Sequence, residues 1–149
     1  VIHYGGNNLL ALDIGRDYAV TIPPDIIAGV DIIAPVALHY FRRMKRGYNQ
    51  AFELARGIHE GIPRHPILMA DLVRRRRRTK TQTRLSRARR RKNVRGAFRL
   101  NKKYRDVVGG KTVLLVDDVV TTGATTGECA TVLKEAGCAE VRVVCLARD

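Results

Sequence analysis

Apolar residues fall along the chain in short blocks separated by Gly, Pro and charged clusters. Residues 8–20 carry Leu9, Leu12, Ala19 and Val20 at a spacing compatible with a short helix, which Pro23 and Pro24 close. Residues 31–38 (DIIAPVAL) are a compact apolar run that reads as a buried strand, with Pro35 near its end. Residues 49–58 place Phe52, Leu54, Ala55 and Ile58 at near-helical spacing before Gly61 and Pro63. Residues 67–70 are a further short strand candidate. The run TVLLV at 112–116 predicts a second buried strand, 125–136 a helix with Gly137 at its C-cap, and VRVVCL at 141–146 a returning strand. Strand, helix, strand in that order is a βαβ unit with a right-handed parallel crossover. The class is therefore α/β with a mostly parallel sheet, and 149 residues suit one domain over 1–149.

Charge changes this picture at one place. The chain has 28 Lys and Arg against 14 Asp and Glu, a formal charge of +14. Fourteen of the cations lie between Arg74 and Arg99, where there is no acidic residue, so the rest of the chain is formally neutral. A uniformly basic polymer is excluded, and a neutral body with a basic insertion is expected. The insertion has only Leu85, Val94 and Phe98 as bulky apolar residues and reads as a mobile basic loop over 74–99, in which 82–92 is a polar helix or part of the loop. No run approaches the ~20 apolar residues of a membrane helix. Residues 1–8 lack a basic region followed by an apolar run, so no secretory leader is expected. Cys129, Cys138 and Cys145 have neither disulfide-framework nor zinc-site spacing and read as buried or half-buried thiols in a reducing cytoplasm.

The strongest chemical signal is the run VLLVDDVVTTGAT at 113–125. Four apolar residues carry a strand to its C-terminal edge, where open α/β sheets bind ligands. Asp117 and Asp118 emerge there, and Thr121, Thr122, Gly123, Ala124 and Thr125 open a helix. A helix N-terminus presents unpaired N–H groups and a positive dipole end, and Gly123 admits close approach of an anion, so this segment is a phosphate cradle. The carboxylates are better placed to accept from sugar hydroxyls or to sit near Mg²⁺. Phosphate at one end and a diol at the other describe a ribose 5-phosphate. The dinucleotide G-x-G-x-x-G and the Walker G-x-x-x-x-G-K-[ST] are absent, and phosphoryl-accepting receiver domains share the Asp pair but lack the Thr-Thr-Gly cradle.

This run resembles the PRPP-binding signature of type I phosphoribosyltransferases. A second set of residues is similar to the ComF family of competence-associated phosphoribosyltransferase homologues: PVALH at 35–39, Arg42, RGYNQ at 46–50, Thr79, Gln82 and Leu85, Asn93-Val94 and Ala97-Phe98. The resemblance runs from about Tyr4 to Asp149. Two departures are that the cysteine-rich zinc-binding segment with which members commonly begin is missing, and that Ala37 stands where a second proline is usual.

The resemblance implies a type I phosphoribosyltransferase-like fold with a mostly parallel central sheet flanked by helices, a small hood at residues 1–24 and a flexible basic loop. It implies ribose binding by Asp117 and Asp118 as the catalytic pair, and 5-phosphate binding by Thr121, Thr122, Gly123, Ala124 and Thr125. Pyrophosphate falls to the loop 37–47, with Leu38, His39, Arg42 and Arg46, whose Arg forks match phosphate oxygens. Thr79 and Gln82 become contacts of the closing loop. His39 binds phosphate or packs against the turn, and Asn49 and Gln50 are helix caps or site contacts. His3, His59 and His65 show no partner pattern and are expected at the surface. Mg²⁺ accompanies PRPP, with no direct protein ligand set, and the acceptor, a nucleobase or amine, has no recognisable site. A second copy of the chain is a further candidate partner. The alternative is a non-catalytic or PRPP-regulated protein of nucleic-acid handling in DNA uptake, because the basic segment exceeds what one diphosphate needs and binds nucleic acid at least nonspecifically. It offers one aromatic, Phe98, and so little platform for base stacking.

Overall fold

A computed structural model describes residues 8–36, 50–64, 66–76, 86–120 and 122–148. In chain order the elements are α1 (Asn8–Ala19), α2 (Pro24–Ile27), β1 (Ile32–Pro35), α3 (Gln50–Gly61), β2 (Ile67–Leu68), β3 (Val73–Arg75), α4 (Arg87–Val94), β4 (Phe98–Leu100), a 3₁₀ turn (Lys102–Tyr104), β5 (Thr112–Val120), α5 (Ala124–Glu135) and β6 (Glu140–Arg148). Four strands form one parallel sheet in the order β2-β1-β5-β6, and β3 and β4 form a separate antiparallel ribbon.

The central strands alternate between two cores, as the two-residue period of a strand requires. Ile32, Ala34, Val113 and Leu115 face the core built with α5 and the ribbon, through Cys129, Leu133 and Phe98. Ile33, Leu114 and Val116 face the core built with α1 and α3, through Ala19, Leu54 and Ile58. With both faces covered, these strands read as unbroken apolar runs.

Helices α1 and α3 meet through glycines. A Cβ on Gly15 would fall 2.5 Å from the Leu54 carbonyl oxygen, and one on Gly57 would collide with the Leu12 carbonyl oxygen and lie 2.8 Å from the Arg16 nitrogen. Arg16 then closes the seam from outside, ion-paired to Glu60 at 2.6 Å and to Asp13 at 3.1 Å. The described part of the expected hood, residues 8–24, thus packs along α3 and inserts Ala19 and Ile22 into the core.

Three features depart from the sequence reading. Pro24 opens α2 instead of only closing α1, since Pro is preorganised for the first helical position. The carbonyls at the end of α2 are then taken by Arg142, whose Nη1 donates to Asp25, Ile26 and Ala28 at 3.1, 2.9 and 2.6 Å. The basic segment, read as a loop with a polar helix over 82–92 as the alternative, has regular structure at both ends: β3 enters it, and α4, which overlaps that alternative, and β4 leave it. Val94, Ala97 and Phe98 are 1%, 0% and 4% exposed, so a few apolar residues anchor a helix whose other positions are charged. Finally, β5 does not stop at Val116 but runs to Val120, because β6 continues beside it as far as Arg148.

Cys129 and Cys138 are buried and Cys145 half-buried, none of them in a disulfide, and burial pushes the Cys138 thiol up. His59 is half-buried near the end of α3 and has an interaction partner, and His3 and His65 lie outside the described residues. Gly137 takes φ 99° after α5, as its C-cap reading required. Among the described residues, no helix is long and apolar enough to cross a membrane.

Candidate functional site

The site lies where β5 outruns β1. The register of the two strands ends at Pro35 opposite Val116, and Val36 N–H donates to the Val116 carbonyl at 2.8 Å. Beyond that point the strand paired to β5 among the described residues is β6, with Asp117 beside Cys145 and Val119 beside Ala147. Main-chain groups alternate in direction along a strand, so the Asp118 N–H points to the same side as the Val116 carbonyl, the side of β1. Asp117 Oδ1 accepts it at 2.9 Å. Asp118 Oδ1 in turn accepts from the Val119 N–H at 2.9 Å.

After Val120 the chain turns into α5 through Gly123, which takes φ 74°, ψ 8° at the N-cap. That left-handed conformation is open to glycine without the Cβ penalty other residues meet. Thr122 Oγ1 accepts from the Ala124 N–H at 3.3 Å, and Thr126 Oγ1 donates to the Gly123 carbonyl at 3.1 Å. The first i→i−4 bond of the helix is Gly127 N–H to Gly123 oxygen, 2.7 Å. The amides of the first turn precede that bond and have no helical carbonyl to meet.

A small open cleft results. Asp117, Val119 and Val120 line its strand side, and Thr122, Gly123, Ala124, Thr125 and Thr126 its helix side. The cleft combines one carboxylate with a helix N-terminus, hydroxyls and a close-approach glycine, which is chemistry for a phosphorylated, hydroxyl-bearing ligand. Asp117 has the strand parity of Val113 and Leu115, which pack toward α5, whereas Asp118 has that of Leu114 and Val116, which pack toward α3. The two acids read together from the sequence are thus parted by the pleat, and only Asp117 lines the cleft. Val119 and Val120 belong to the cleft wall, which sequence reasoning missed because the strand was ended too early.

Thr121, Leu38, His39, Arg42, Arg46, Thr79 and Gln82 lie outside the described residues, and so does Asn49. Gln50 is half-buried in the first turn of α3 and has an interaction partner. Among the described residues no group of three or more His, Cys, Asp and Glu is placed to hold a metal ion.

Sheet, crossover and cleft together define a phosphoribosyltransferase-like protein. The family model described as the phosphoribosyl transferase domain matches residues 44–149, and the chain belongs to that family. It is similar to competence protein F of Haemophilus influenzae, with 36% identity over 142 residues, 94% of this chain and 57% of the relative. It is also similar to DNA utilization protein YhgH of Escherichia coli K12, with 39% identity over 118 residues, 79% of this chain and 49% of the relative. The chain spans about half the length of the curated relatives it matches, and these relatives support the ComF-family resemblance. Among solved structures it is similar to an allosteric regulatory enzyme of purine biosynthesis, TM-score 0.56 at 24% identity, covering 91% of this chain and 25% of that one. It is similar too to a hypoxanthine phosphoribosyltransferase from Staphylococcus aureus, TM-score 0.57 at 13% identity, covering 95% and 65%. At these identities the structures show the fold alone, and it is the type I phosphoribosyltransferase fold.

Proposed function

We propose that the protein binds PRPP in the cleft between β5 and α5 and transfers its phosphoribosyl group with release of pyrophosphate. The observation that carries this is the cleft itself, in which one carboxylate faces a helix N-terminus of Thr and Gly at the open end of a parallel sheet. In this reading the first turn of α5, from Thr121 and Thr122 to Thr125, seats the 5-phosphate. Asp117 accepts from a ribose hydroxyl, and Asp118 supports it from the other face of the strand. Arg42 and Arg46, with Leu38 and His39, receive the pyrophosphate, and Thr79 and Gln82 belong to the segment that closes over it. Loss of pyrophosphate leaves positive charge on the ribose C1, and cationic side chains on the leaving group favour that step.

The donor set fits a Mg²⁺ carried mainly by the ligand. Mg²⁺ is usually held by one or two carboxylates together with substrate phosphates, and the cleft offers one carboxylate. Bound there, the ion would neutralise the leaving pyrophosphate. Cysteines without a disulfide fit a reducing compartment, and we place the protein in the cytoplasm and treat residues 1–149 as a single domain.

Calorimetry with PRPP and Mg²⁺, paired with a screen of nucleobases and ammonia read by pyrophosphate release, tests this reading. Saturable PRPP binding and an acceptor-dependent release are expected. No binding at millimolar PRPP sinks the cleft assignment, and binding without release from any acceptor sinks the transferase activity. The names of the relatives, competence protein F and DNA utilization protein, bring a second reading of nucleic-acid handling. The basic surface around α4 favours it.

A further inference from the structure

Helix α4, Arg87–Val94, is built against its own electrostatics. Its sequence RARRRKNV has no acid in the first turn, so Arg87, Arg89 and Arg90 stand at the positive end of the helix dipole. Arg87 and Arg91 are four residues apart and Arg89 and Lys92 three, which sets like charges side by side along the surface. Ser86 opposes this at the N-terminus, its hydroxyl accepting from the Arg89 N–H at 3.4 Å, and Arg91 and Lys92 in the last turn suit the negative end of the dipole. A helix of eight such residues has little reason to form alone.

The rest of the fold nevertheless fixes it in place. Val94 and Ala97 are buried, Glu128 of α5 accepts from the Gly96 N–H at 2.8 Å, and Arg75 of β3 stacks 4.7 Å above the Phe98 ring of β4. Six cations, Arg76, Arg87, Arg89, Arg91, Lys92 and Arg99, are exposed on this platform, and among the described residues none of them is in an ion pair. A solvated tail would need no such anchoring. The repulsion is relieved when a polyanion replaces the counterions.

We infer that the exposed face of α4, with Arg76 and Arg99 of the adjoining ribbon, binds the phosphodiester backbone of nucleic acid. This rests on the nucleic-acid reading above and gives that reading a location; it shares no residue with the cleft at β5 and α5. Phe98, the aromatic of this segment, is buried, so no ring is presented for base stacking. The surface therefore reads phosphates and not sequence.

The test uses the full chain and its Arg87→Gln/Arg89→Gln/Arg91→Gln variant, with a fluorescent duplex and a single strand of equal length as probes over a salt series. Wild type is expected to bind duplexes of unrelated sequence equally. In the variant affinity falls by about tenfold or more at low salt, and the duplex salt slope flattens by about 2.7, at ~0.9 for each phosphate that an arginine no longer neutralises. Because the substitutions remove like-charge repulsion, the melting temperature of the variant is expected to stay level or rise, whereas structural arginines would lower it. Unchanged affinity and slope in the variant overturn this surface while leaving nucleic-acid binding elsewhere intact. Failure of wild type to bind either probe at physiological salt overturns both the surface and the reading beneath it. A strong preference for one base sequence contradicts backbone recognition.

Discussion

Asp117 Oδ1 accepts a hydrogen bond from the Asp118 main-chain N–H at 2.9 Å, immediately past the point where β1 ceases to pair with β5. Among the described residues this amide has no strand partner, and the carboxylate takes it. This hydrogen bond orients Asp117 at the rim of the cleft. Of the two acids, Asp117 lines the cleft and Asp118 has the opposite strand parity.

Gly123 is the second point on which the cleft turns. A Cβ there would meet only Thr126 Oγ1, at 3.8 Å, so space is not the obstacle. The obstacle is φ 74°, which costs a residue with a Cβ about 1–2 kcal/mol. Gly123→Ala is expected to lower the melting temperature by about 2–8 °C. The same change is expected to weaken PRPP binding more than that drop in stability explains, because the amides of the first turn shift with the cap. Calorimetry on the folded variant measures this, and wild-type affinity would show that the cap conformation does not shape the cleft.

The glycine seam predicts a stability effect remote from the site. Gly57→Ala drives a methyl group into the Leu12 carbonyl and the backbone of Gly15, and both are main-chain atoms that cannot swing aside. A destabilisation of about 1–3 kcal/mol is expected from such overpacking. Urea denaturation would show a lower midpoint with an unchanged slope. A midpoint equal to wild type would mean that α1 and α3 do not approach as closely as described.

Asp71 carries a pH dependence. The hydrogen bond from Arg74 at 2.8 Å chiefly holds its carboxyl below the usual range, Tyr104 adds a bond at 3.2 Å, and desolvation opposes both. A depressed folded-state value means the contribution is full above the unfolded pKa and is lost as pH falls through the folded value. Asp71→Asn should therefore melt below wild type at neutral pH, and the gap should narrow as pH drops below about 4. The pair is partly exposed, so the effect is small and weakens with salt. A gap that stays constant with pH would instead assign the destabilisation to the hydrogen bond from Asn101 at 3.1 Å.

Much of the sheet was legible because its strands are buried on both faces. IIAP and TVLLV are unbroken apolar runs, and strand, helix, Gly137 and strand at 112–146 follow the order of a crossover. The cleft residues Asp117 and Thr122–Thr125 were legible for a different reason, since acids and hydroxyls at a strand-to-helix turn have few structural uses. What escaped was set by partners distant in sequence. The extension of β5 to Val120 depends on β6, and the parting of Asp117 from Asp118 depends on that extension. Helix α4 was legible only as one alternative over 82–92, because its charge is read easily whereas its three apolar anchors are read only against α5 and the ribbon.

The most direct measurement compares Mg²⁺-PRPP affinity by calorimetry in wild type, Asp117→Asn and Asp118→Asn. The cleft geometry predicts saturable binding by wild type and a weakening of about tenfold or more in Asp117→Asn, the cost of a hydrogen bond to a charged group. Asp118→Asn is predicted to weaken binding less. Equal affinity in wild type and Asp117→Asn would contradict the account.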